Sequence, residues 1–567
     1  MNPAQLLEHF NRISEAPDAV ARLRRFILDL AVRGKLVEQD PNDEPAAELL
    51  KRIQAEKAHG KKREKINLQL EDIEGIEDLP LHWTTASLIA LGSWAIGTGF
   101  PKNEQGFTEG PYFFLKVSDM NLPGNEKYVT VSNNCIDEAA VKRIRAKIHP
   151  QGTIIFPKIG GAIATNKRRI LTKGAAIDNN CLGIVFSMEI DIEWAYLLMT
   201  TLDFTQYQVG TAVPALQQGV LEVIPVGLPP LAEQHRIVAK VDELMALCDQ
   251  LEVAQNMREK QRDRLVAASL HRVGTALPES LPVAARFHLD NLPRLTTHPE
   301  HIKQLRQTIL NLAVRGRLVP QDPNDEPAAE LLKRIQVEKA LLVKNGTIKK
   351  EKLLPSVGKE EKKIILPLQW KWSRLRSLVF FLGDGLHGTP AYVDGTKYYF
   401  INGNNLADGK IIIKSNTKTV SFDEMQKYKK PMSLNTVLVS INGTLGKVAF
   451  YNNEQVVLGK SACYFDLSEN IDKHFVKLLI ESRYFIEYAL QSATGTTIKN
   501  LSLKAINEFP IPLPPLAEQH RIVAKVDELM ALCDQLEAQL ITTQTDSRRL
   551  LAAVLRDALV FHCKKNR

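Results

Sequence analysis

The chain has 567 residues, of which 44% are hydrophobic and 24% charged, so it is long enough to form several hydrophobic cores. No apolar run is long enough to cross a membrane, and the N-terminal sequence lacks the basic start and apolar stretch of a secretory signal, which together predict a cytoplasmic protein. The six cysteines show no CxxC spacing and predict neither a disulfide framework nor a metal site, while a formal net charge of +8 permits a nucleic-acid partner without requiring one.

The chain begins with a helical arm, which we assign to residues 1–60. Apolar residues recur at helical spacing over residues 23–32 and again over residues 45–57, and the turn sequence DPNDEP lies between the two segments. The sequence of residues 30–58 returns at residues 312–340 with three differences. The sequence therefore predicts the same arm twice.

The second segment, residues 79–226, changes to short β-rich runs separated by Gly and Asn turns, as in GTIIFPKIGG. Basic residues cluster within it, and such groups neutralise phosphates in DNA-binding proteins. The candidates for DNA contact here are Lys142, Arg143, Arg145, Lys158, Gly160, Gly161, Lys167, Arg168 and Arg169. Basic and acidic residues balance at twelve each over the segment, so a solvated surface stays open as an alternative.

A long amphipathic helix opens the next region, residues 228–345, whose remainder is the second arm. After two prolines, apolar residues alternate at spacings of four and three, which predicts a coiled-coil helix from about residue 231 to about residue 271. Such a helix is about 60 Å long at 1.5 Å per residue. Residues 228–252 recur letter for letter at residues 513–537.

The repeated helix supplies the candidates for scaffold or subunit contact. A glutamate and a histidine in its first turn could be read as a catalytic pair, but a carboxylate there complements the helix dipole, which favours a structural or partner-binding role. The candidates are Glu233, Gln234, His235, Arg236, Ile237, Val241, Leu244 and Leu251 in the first copy and Glu518, Gln519, His520, Arg521, Ile522, Val526, Leu529 and Leu536 in the second. We assign no catalytic residue to the chain.

The last two segments are a second β-rich region, residues 366–512, and a C-terminal helix, residues 513–567. The second β-rich region carries seventeen basic and twelve acidic residues, and it shares a faint skeleton with the first, since LPLHW matches LPLQW and YFFLKVSDM matches YYFINGNNL. Its candidates for DNA contact are Asp384, His387, Thr389, Lys427, Lys429, Lys430, Asn442, Thr444 and Lys447.

Two glycine-rich motifs in this region suggest cofactor or nucleotide binding, and we reject both. The GxGxxG within FFLGDGLHGTP is not followed by a predicted helix, which the dinucleotide fingerprint requires, so we predict a turn between strands. The sequence GTLGK has Ile441 where a phosphate loop needs glycine, and Val448 where it needs Ser or Thr.

Two blocks that recur in the same order at nearly the same offset predict a tandem duplication. The predicted fold is α+β, with two copies of a mixed α/β domain carried by long coiled-coil helices and related by an internal pseudo-two-fold axis. Because the scaffold repeats while the β-rich regions differ, a DNA target of this chain should be bipartite and asymmetric, unlike the palindrome that a true homodimer reads.

The sequences PLPPLAEQHRIVAKVDEL, ILNLAVRGRLV and PNDEPAAELLKRI resemble those of the specificity (S) subunits of type I restriction-modification systems. DGLHGTPAY, TVLVSINGTLGKV and TGTTIKNLS in the second β-rich region resemble the loose patterns of that family's target recognition domains. GTGFPK, TIIFPKIGGAI and GTAVPALQ are weaker versions in the first. The resemblance covers essentially the whole chain.

The resemblance implies a non-catalytic subunit that reads double-stranded DNA through two target recognition domains, with helices that set their spacing. It implies two methyltransferase (M) subunits and two restriction (R) subunits as partners. It also implies that this chain binds no cofactor, and that S-adenosylmethionine, ATP and Mg2+ belong to the partner subunits. Two other functions stay open on the sequence alone: a self-contained methyltransferase or nuclease, and a coiled-coil adaptor whose β-rich domains bind protein.

Overall fold

The computed structural model describes residue 16, residues 18–59, residue 76, and residues 78–210, 213–350 and 354–565. Within this part of the chain, no helix is long and apolar enough to span a lipid bilayer. The chain divides into two compact units: unit 1 comprises Met1–Met257 with Gln544–Arg567, and unit 2 comprises Arg258–Thr543. We call the β-rich region of unit 1 head 1 (residues 79–226) and that of unit 2 head 2 (residues 366–512).

Unit 1 contains the first arm, head 1 and the beginning of the first long helix. Its elements in chain order are α1 (Ala19–Val32), α2 (Ala46–His59), β1 (Thr84–Ser87), β2 (Gly92–Ile96), β3 (Tyr112–Leu115), β4 (Tyr128–Val129), β5 (Cys135–Ile136), α3 (Glu138–Ile144), β6 (Ile154–Pro157), β7 (Arg169–Leu171), β8 (Ala175–Ile177), β9 (Cys181–Phe186), α4 (Ile192–Thr201), β10 (Gln208–Val209), β11 (Ala215–Leu216), α5 (Gln218–Glu222), β12 (Pro225–Leu228) and α6 (Leu231–Thr275).

Head 1 is built on two sheets. β2, β9, β6, β7 and β4 form a five-stranded sheet in that spatial order, and β5, β3 and β8 form a three-stranded sheet in which β3 and β8 are parallel. The antiparallel pair β1–β12 closes the head by joining its first strand to its last. Because β12 ends at Leu228 and α6 begins at Leu231, this closing pair connects the head directly to the long helix.

The arm, head 1 and the start of α6 share one hydrophobic core. Leu49 and Ile53 of α2, Leu88 and Trp194 of the head, and Ile237 of α6 all belong to the same buried cluster. Complete burial of an aliphatic side chain of this size contributes about 1.5–3 kcal/mol. The amphipathic arm helices are therefore held by packing on the head and on the long helix.

Unit 2 repeats this plan after a helical connection. The further elements are α7 (Leu281–Asp290), α8 (Leu292–Leu295), α9 (Pro299–Val314), α10 (Ala328–Lys344), β13 (Lys371–Arg374), α11 (Leu375–Leu378), β14 (Val379–Asp384), β15 (Tyr399–Ile401), β16 (Leu406–Ala407), β17 (Lys410–Ile411), α12 (Phe422–Lys427), β18 (Thr436–Ser440), β19 (Val448–Phe450), β20 (Val456–Leu458), β21 (Ala462–Leu467), α13 (Lys473–Glu481), α14 (Arg483–Ser492), α15 (Leu503–Glu508), β22 (Pro510–Leu513) and α16 (Leu516–Lys565).

Head 2 has the strand order of head 1. The sheet β14-β21-β18-β19 corresponds to β2-β9-β6-β7, the parallel pair β15–β20 corresponds to β3–β8, and the closing pair β13–β22 corresponds to β1–β12. The two heads are thus two copies of one mixed α/β fold. The α+β class and the tandem duplication predicted from the sequence are confirmed.

The first long helix extends further than the sequence pattern indicated. α6 ends at Thr275 instead of about residue 271, and its 45 residues span about 68 Å at 1.5 Å per residue. Val266, Leu270 and Val273 continue its apolar seam and are buried. That packing stabilises the last turns of the helix.

Unit 1 is completed by the far end of the chain. Leu551 and Val554 of α16 form a buried cluster with Ala16 and Ala19 of the first arm. The small alanine side chains allow the two segments to approach closely. The arm at the start of the chain therefore packs against the helix at its end.

Candidate nucleic-acid interface

In head 2, two loops that are far apart in the sequence flank one short turn, and a third loop pairs with the second of them. We name them the first loop (residues 384–392), the second loop (residues 441–447) and the third loop (residues 494–500). The central turn (residues 459–461) connects β20 to β21. Each loop carries one of the patterns that resemble target recognition domains, so the fold brings these patterns together.

Backbone hydrogen bonds hold these segments of head 2 in place. The Lys460 N–H donates to the carbonyl of Leu386 in the first loop at 3.0 Å, and the Ile441 N–H donates to the carbonyl of Ser461 at 3.0 Å. The Gly443 N–H donates to the third loop at 2.9 Å. Because these bonds join backbone to backbone, the side chains of the loops can vary without changing the framework.

Head 1 has the same arrangement. Its first loop (residues 97–102) and second loop (residues 158–167) flank a central turn (residues 178–180) between β8 and β9, and its third loop (residues 210–217) pairs with the second. Residues 211 and 212 of the third loop lie outside the described part of the chain.

Head 1 has equivalent bonds, and its first loop matches the Leu386 N–H of head 2, which donates to the carbonyl of Leu458 at 2.7 Å. The Thr98 N–H donates to the carbonyl of Ile177, next to the central turn, at 2.8 Å, and the Lys158 N–H donates to the carbonyl of Asn180 at 2.8 Å. The Gly160 N–H donates to the third loop at 2.7 Å. The two heads therefore share a backbone framework and differ in the side chains that it carries.

The residues predicted to contact DNA are divided between these loops and neighbouring segments. Those in the loops are Lys158, Gly160, Gly161 and Lys167 of head 1 and Asp384, His387, Thr389, Asn442, Thr444 and Lys447 of head 2. Those on or just after the short helices α3 and α12 are Lys142, Arg143 and Arg145 of head 1 and Lys427, Lys429 and Lys430 of head 2. Arg169 is the first residue of β7, and Arg168 lies directly before it.

Several of these side chains already have polar partners within their own head. Arg143 donates two hydrogen bonds to Glu104, at 2.7 and 2.9 Å, and these bonds lower the pKa of the carboxyl. His387 pairs with Asp384, and Lys167 donates to an asparagine side chain. The side chains of Arg143 and His387 remain exposed beside these partners, so such a pairing does not prevent a later contact with phosphate.

The prediction that Arg168 contacts DNA is wrong. Its side chain is 1% exposed, and its guanidinium donates to the carbonyls of Lys167, Met199 and Leu202 at 3.0, 3.1 and 3.2 Å. Its Cζ lies 4.0 Å from the centre of the Phe204 ring. Since Met199 and Leu202 lie at the end of α4, the cation satisfies the last carbonyls of that helix. Burial lowers the pKa of Arg168.

Arg169 is also committed to the head. Its guanidinium donates to the carbonyl of Met120 at 2.8 and 3.2 Å, and the side chain is half-buried. A run of three basic residues in the sequence therefore places one side chain in the core and a second against a neighbouring carbonyl.

Sequence reasoning missed the central turns. Asn179 and Asn180 in head 1 and Lys460 in head 2 are exposed there. The available signal was a short buried strand, AAI or VVL, followed by polar residues and then by another buried strand. That pattern indicates a turn, but it does not show which loops surround it.

The repeated start of the long helix attaches each head to its arm, and we call this region the junction. In unit 1, the fully buried Glu233 accepts a hydrogen bond from Trp83 Nε1–H at 2.9 Å and another from Gln39 Nε2–H at 2.6 Å. Desolvation raises the pKa of Glu233, against the effect of the two hydrogen bonds. This carboxylate therefore connects the arm, the beginning of the head and α6.

The next three residues extend the junction of unit 1. Gln234 accepts a hydrogen bond from the Asp191 N–H at 2.9 Å and donates to a carbonyl of the Pro-Pro turn at 3.1 Å. Asp191 caps α4, and its carboxylate lies 3.3 Å from His235 Nε2. Arg236 donates twice to Asp43 in the arm, at 3.2 and 2.5 Å. Four consecutive side chains thus hold three separate segments.

Unit 2 has the same junction. The fully buried Glu518 accepts from Trp370 Nε1–H at 2.9 Å and from Gln321 Nε2–H at 2.6 Å. Gln519 accepts a hydrogen bond from the Asp472 N–H at 3.0 Å, and His520 lies 3.8 Å from the Asp472 carboxylate. Arg521 donates twice to Asp325, at 3.1 and 2.6 Å. The repeated sequence therefore makes the same contacts in both units.

The apolar candidates continue along the long helices. Ile237 and Val241 are buried in the core of unit 1, and Leu244 and Leu251 pack against it. In unit 2 the equivalent residues of the core are Ile522, Val526, Leu529 and Leu536. These contacts lie within the chain, and a contact of the same residues with another subunit stays a prediction.

The two rejected motifs lie in connections between strands. Gly383 is part of β14, and the fully described stretch between β14 and β15 contains no helix, as predicted. GTLGK connects β18 to β19. In the described part of the chain, no group of three or more His, Cys, Asp or Glu side chains is placed to hold a metal ion.

Comparison with known proteins identifies the family. Residues 107–258 and 381–543 match the family described as the type I restriction modification DNA specificity domain. The specificity subunit of the type I restriction enzyme EcoAI from Escherichia coli is 32% identical, covering 95% of this chain and 94% of the relative. The EcoEI specificity subunit from the same species is 29% identical over 95% and 94%.

A solved structure is also similar. The HsdS subunit from Thermoanaerobacter tengcongensis is 18% identical, and its crystal structure superposes on 86% of this chain and 98% of its own with a TM-score of 0.40. The family assignment rests on the sequence matches. The resemblance seen in the sequence is confirmed. The chain belongs to the family of type I restriction enzyme specificity subunits, which are not catalytic by themselves.

Proposed function

We propose that this chain reads double-stranded DNA for a type I restriction-modification complex, and that each head reads one half of an asymmetric, two-part target. The observation that carries this proposal is the contrast between junctions and loops. The side chains that attach each head to its long helix are the same in both units, whereas the loops around the central turns differ. Binding residues commonly lie on such variable loops above a rigid framework.

Two M subunits and two R subunits complete the complex in this proposal, because the EcoAI and EcoEI relatives are subunits of type I restriction enzymes. The chain itself binds no cofactor, and the partner subunits use S-adenosylmethionine, ATP and Mg2+ in the cytoplasm. The long helices set the spacing of the half-sites and dock the partners. Leu247 and Leu532, at matching positions of the repeat, are 52% and 53% exposed, which supports an apolar docking face.

Exchanging one head tests this proposal. Residues 88–224 are replaced by the corresponding segment of another specificity subunit. This exchange keeps Gln39, Asp43 and Trp83 as partners of the junction, while the incoming segment supplies its own counterpart of Asp191. The hybrid is expressed with its M subunit, and methylated adenines are mapped in the DNA of the cells. We expect one half of the target to change while the other half and the spacing remain.

The reciprocal exchange in head 2, residues 375–509, is the matched control and should change the other half. A change in both halves from either exchange would contradict two independent heads. Unchanged methylation in both hybrids would contradict reading of the DNA by the heads.

A further inference from the structure

The central turn of each head is built against the first loop. A Cβ added to Gly97 would lie 2.0 Å from the carbonyl oxygen of Asp178, and one added to Gly385 would lie 2.3 Å from the carbonyl oxygen of Gly459. No side chain can be accommodated at such distances, so both heads use glycine for the same close approach. The position of the turn against the first loop is therefore fixed by close backbone packing in both heads.

The second loop holds the other side of the turn. The Lys158 N–H bonds to the Asn180 carbonyl at 2.8 Å in head 1, and the Ile441 N–H bonds to the Ser461 carbonyl at 3.0 Å in head 2. The strands that enter and leave each turn are largely buried. Side chains that project from a backbone fixed in this way are suited to precise recognition.

The side chains at the two turns differ in chemistry. Asn179 and Asn180 are exposed in head 1, where Asn180 Nδ2 donates to Asp178 Oδ2 at 3.0 Å. Lys460 is exposed in head 2. A side-chain amide pairs with N6 and N7 of adenine in the major groove, whereas a lysine ammonium donates to O6 and N7 of guanine. The Asp178 carboxylate beside the amides disfavours approach of a phosphate.

We propose that the central turn reads bases, and that Asn179 contacts an adenine in the half-site of head 1 while Lys460 contacts a guanine in the half-site of head 2. This inference rests on the proposed function, in which the two heads read separate halves of one DNA target. It adds the side chains that determine part of the specificity and the bases that they recognise.

The variants Asn179→Ala and Lys460→Met test the proposal in the complex with M subunits. Binding is measured at fixed salt to the target duplex and to duplexes in which each base pair is changed in turn. We expect Lys460→Met to lose about 10-fold or more of the discrimination at one G·C pair, and Asn179→Ala to lose as much at one A·T pair in the other half. Lys371→Met alters an exposed lysine of β13 and is the control that should bind as the wild type does.

Uniform weakening on every duplex, with the slope of log affinity against log salt reduced by about 1, would show a phosphate contact by Lys460 and overturn the proposal. Unchanged discrimination in both variants would overturn it as well. A failure of the proposed function is seen separately, since the wild-type complex would then show no two-part target. Lys460→Gln and Asn179→Ser replace any variant that does not assemble with M on gel filtration.

Discussion

Replacing Glu233 with alanine should destabilise unit 1 by about 2–4 kcal/mol, because the buried Trp83 indole and the half-buried Gln39 amide lose their acceptor. Trp83 Nε1–H and Gln39 Nε2–H lie 2.9 and 2.6 Å from the two carboxylate oxygens. Each buried donor without an acceptor costs about 1–3 kcal/mol. Desolvation raises the pKa of Glu233, which shows that burying this charge is itself unfavourable. Removing the charge therefore offsets part of the lost stability, and the expected loss stays below the sum of the largest costs of the two donors.

Glu233→Gln is the matched control, because it keeps the shape of the side chain. The Oε1 atom of Gln39 is buried without a hydrogen-bond partner in the described part of the chain. If the Gln39 amide turns over, the new amide at position 233 can donate to that oxygen while its own oxygen still accepts from Trp83. We expect this variant to lose less than about 1 kcal/mol, since both hydrogen bonds are kept.

The measurement is urea denaturation of the complex with M subunits, followed by tryptophan fluorescence, with all variants at the same protein concentration. Glu518→Ala removes the equivalent carboxylate of unit 2, whose two hydrogen bonds have the same lengths of 2.9 and 2.6 Å, and should have a similar effect. Glu243→Ala, on the exposed side of α6, should stay within about 0.5 kcal/mol of the wild type. Wild-type stability of Glu233→Ala, or an equal loss in Glu233→Gln, would refute the role of these hydrogen bonds.

Three further predictions concern other parts of the chain. Arg168→Met should lower the free energy of unfolding by about 2–4 kcal/mol, because three carbonyls lose their donor. The slope of log DNA affinity against log salt concentration should stay unchanged, and a reduced slope would show that Arg168 does contact a phosphate. Gly385→Ala should reduce thermal stability, since its Cβ would lie 2.3 Å from a backbone oxygen, whereas Gly388→Ala, with nothing within 4 Å, should leave thermal stability unchanged. Equal melting temperatures of the two variants would contradict this. Burial lowers the pKa of His288, so the folded chain binds a proton at this residue less readily than the unfolded chain does. The free energy of unfolding should therefore fall as the pH drops below about 6.5. His288→Gln should show a smaller fall in melting temperature between pH 7 and pH 5 than the wild type, and an equal fall would exclude this residue as a cause.

Much of the architecture could be predicted because its signals are local. The recurrence of whole blocks indicates a duplication without any structural information, and the spacing of apolar residues indicates the long helices. The predicted start of α6 agrees with the structure, but its C-terminal end was predicted about one turn too early, because the last turns are stabilised by packing of Val266, Leu270 and Val273. Tertiary contacts of this kind commonly extend a helix beyond its sequence pattern.

The functional surface was only partly predictable. Lys158 and Lys447 lie in the loops where the sequence patterns placed them, but Arg168 carries the same charge and is in the core. Charge alone does not distinguish these positions, because a buried guanidinium is tolerated when carbonyls and an aromatic ring surround it. The central turns were missed because their neighbours come from two loops that are distant in the sequence.

The sequence by itself determined that the chain is a duplicated scaffold bearing two different heads, because repetition and periodicity can be read without knowing any contact. Only the tertiary structure decided what the repeated glutamate does, since its partner Trp83 lies 150 positions away and meets it only when the closing strands pair. The same holds for the loops around the central turns. Strand order brings distant residues together, and strand order depends on packing of the whole head.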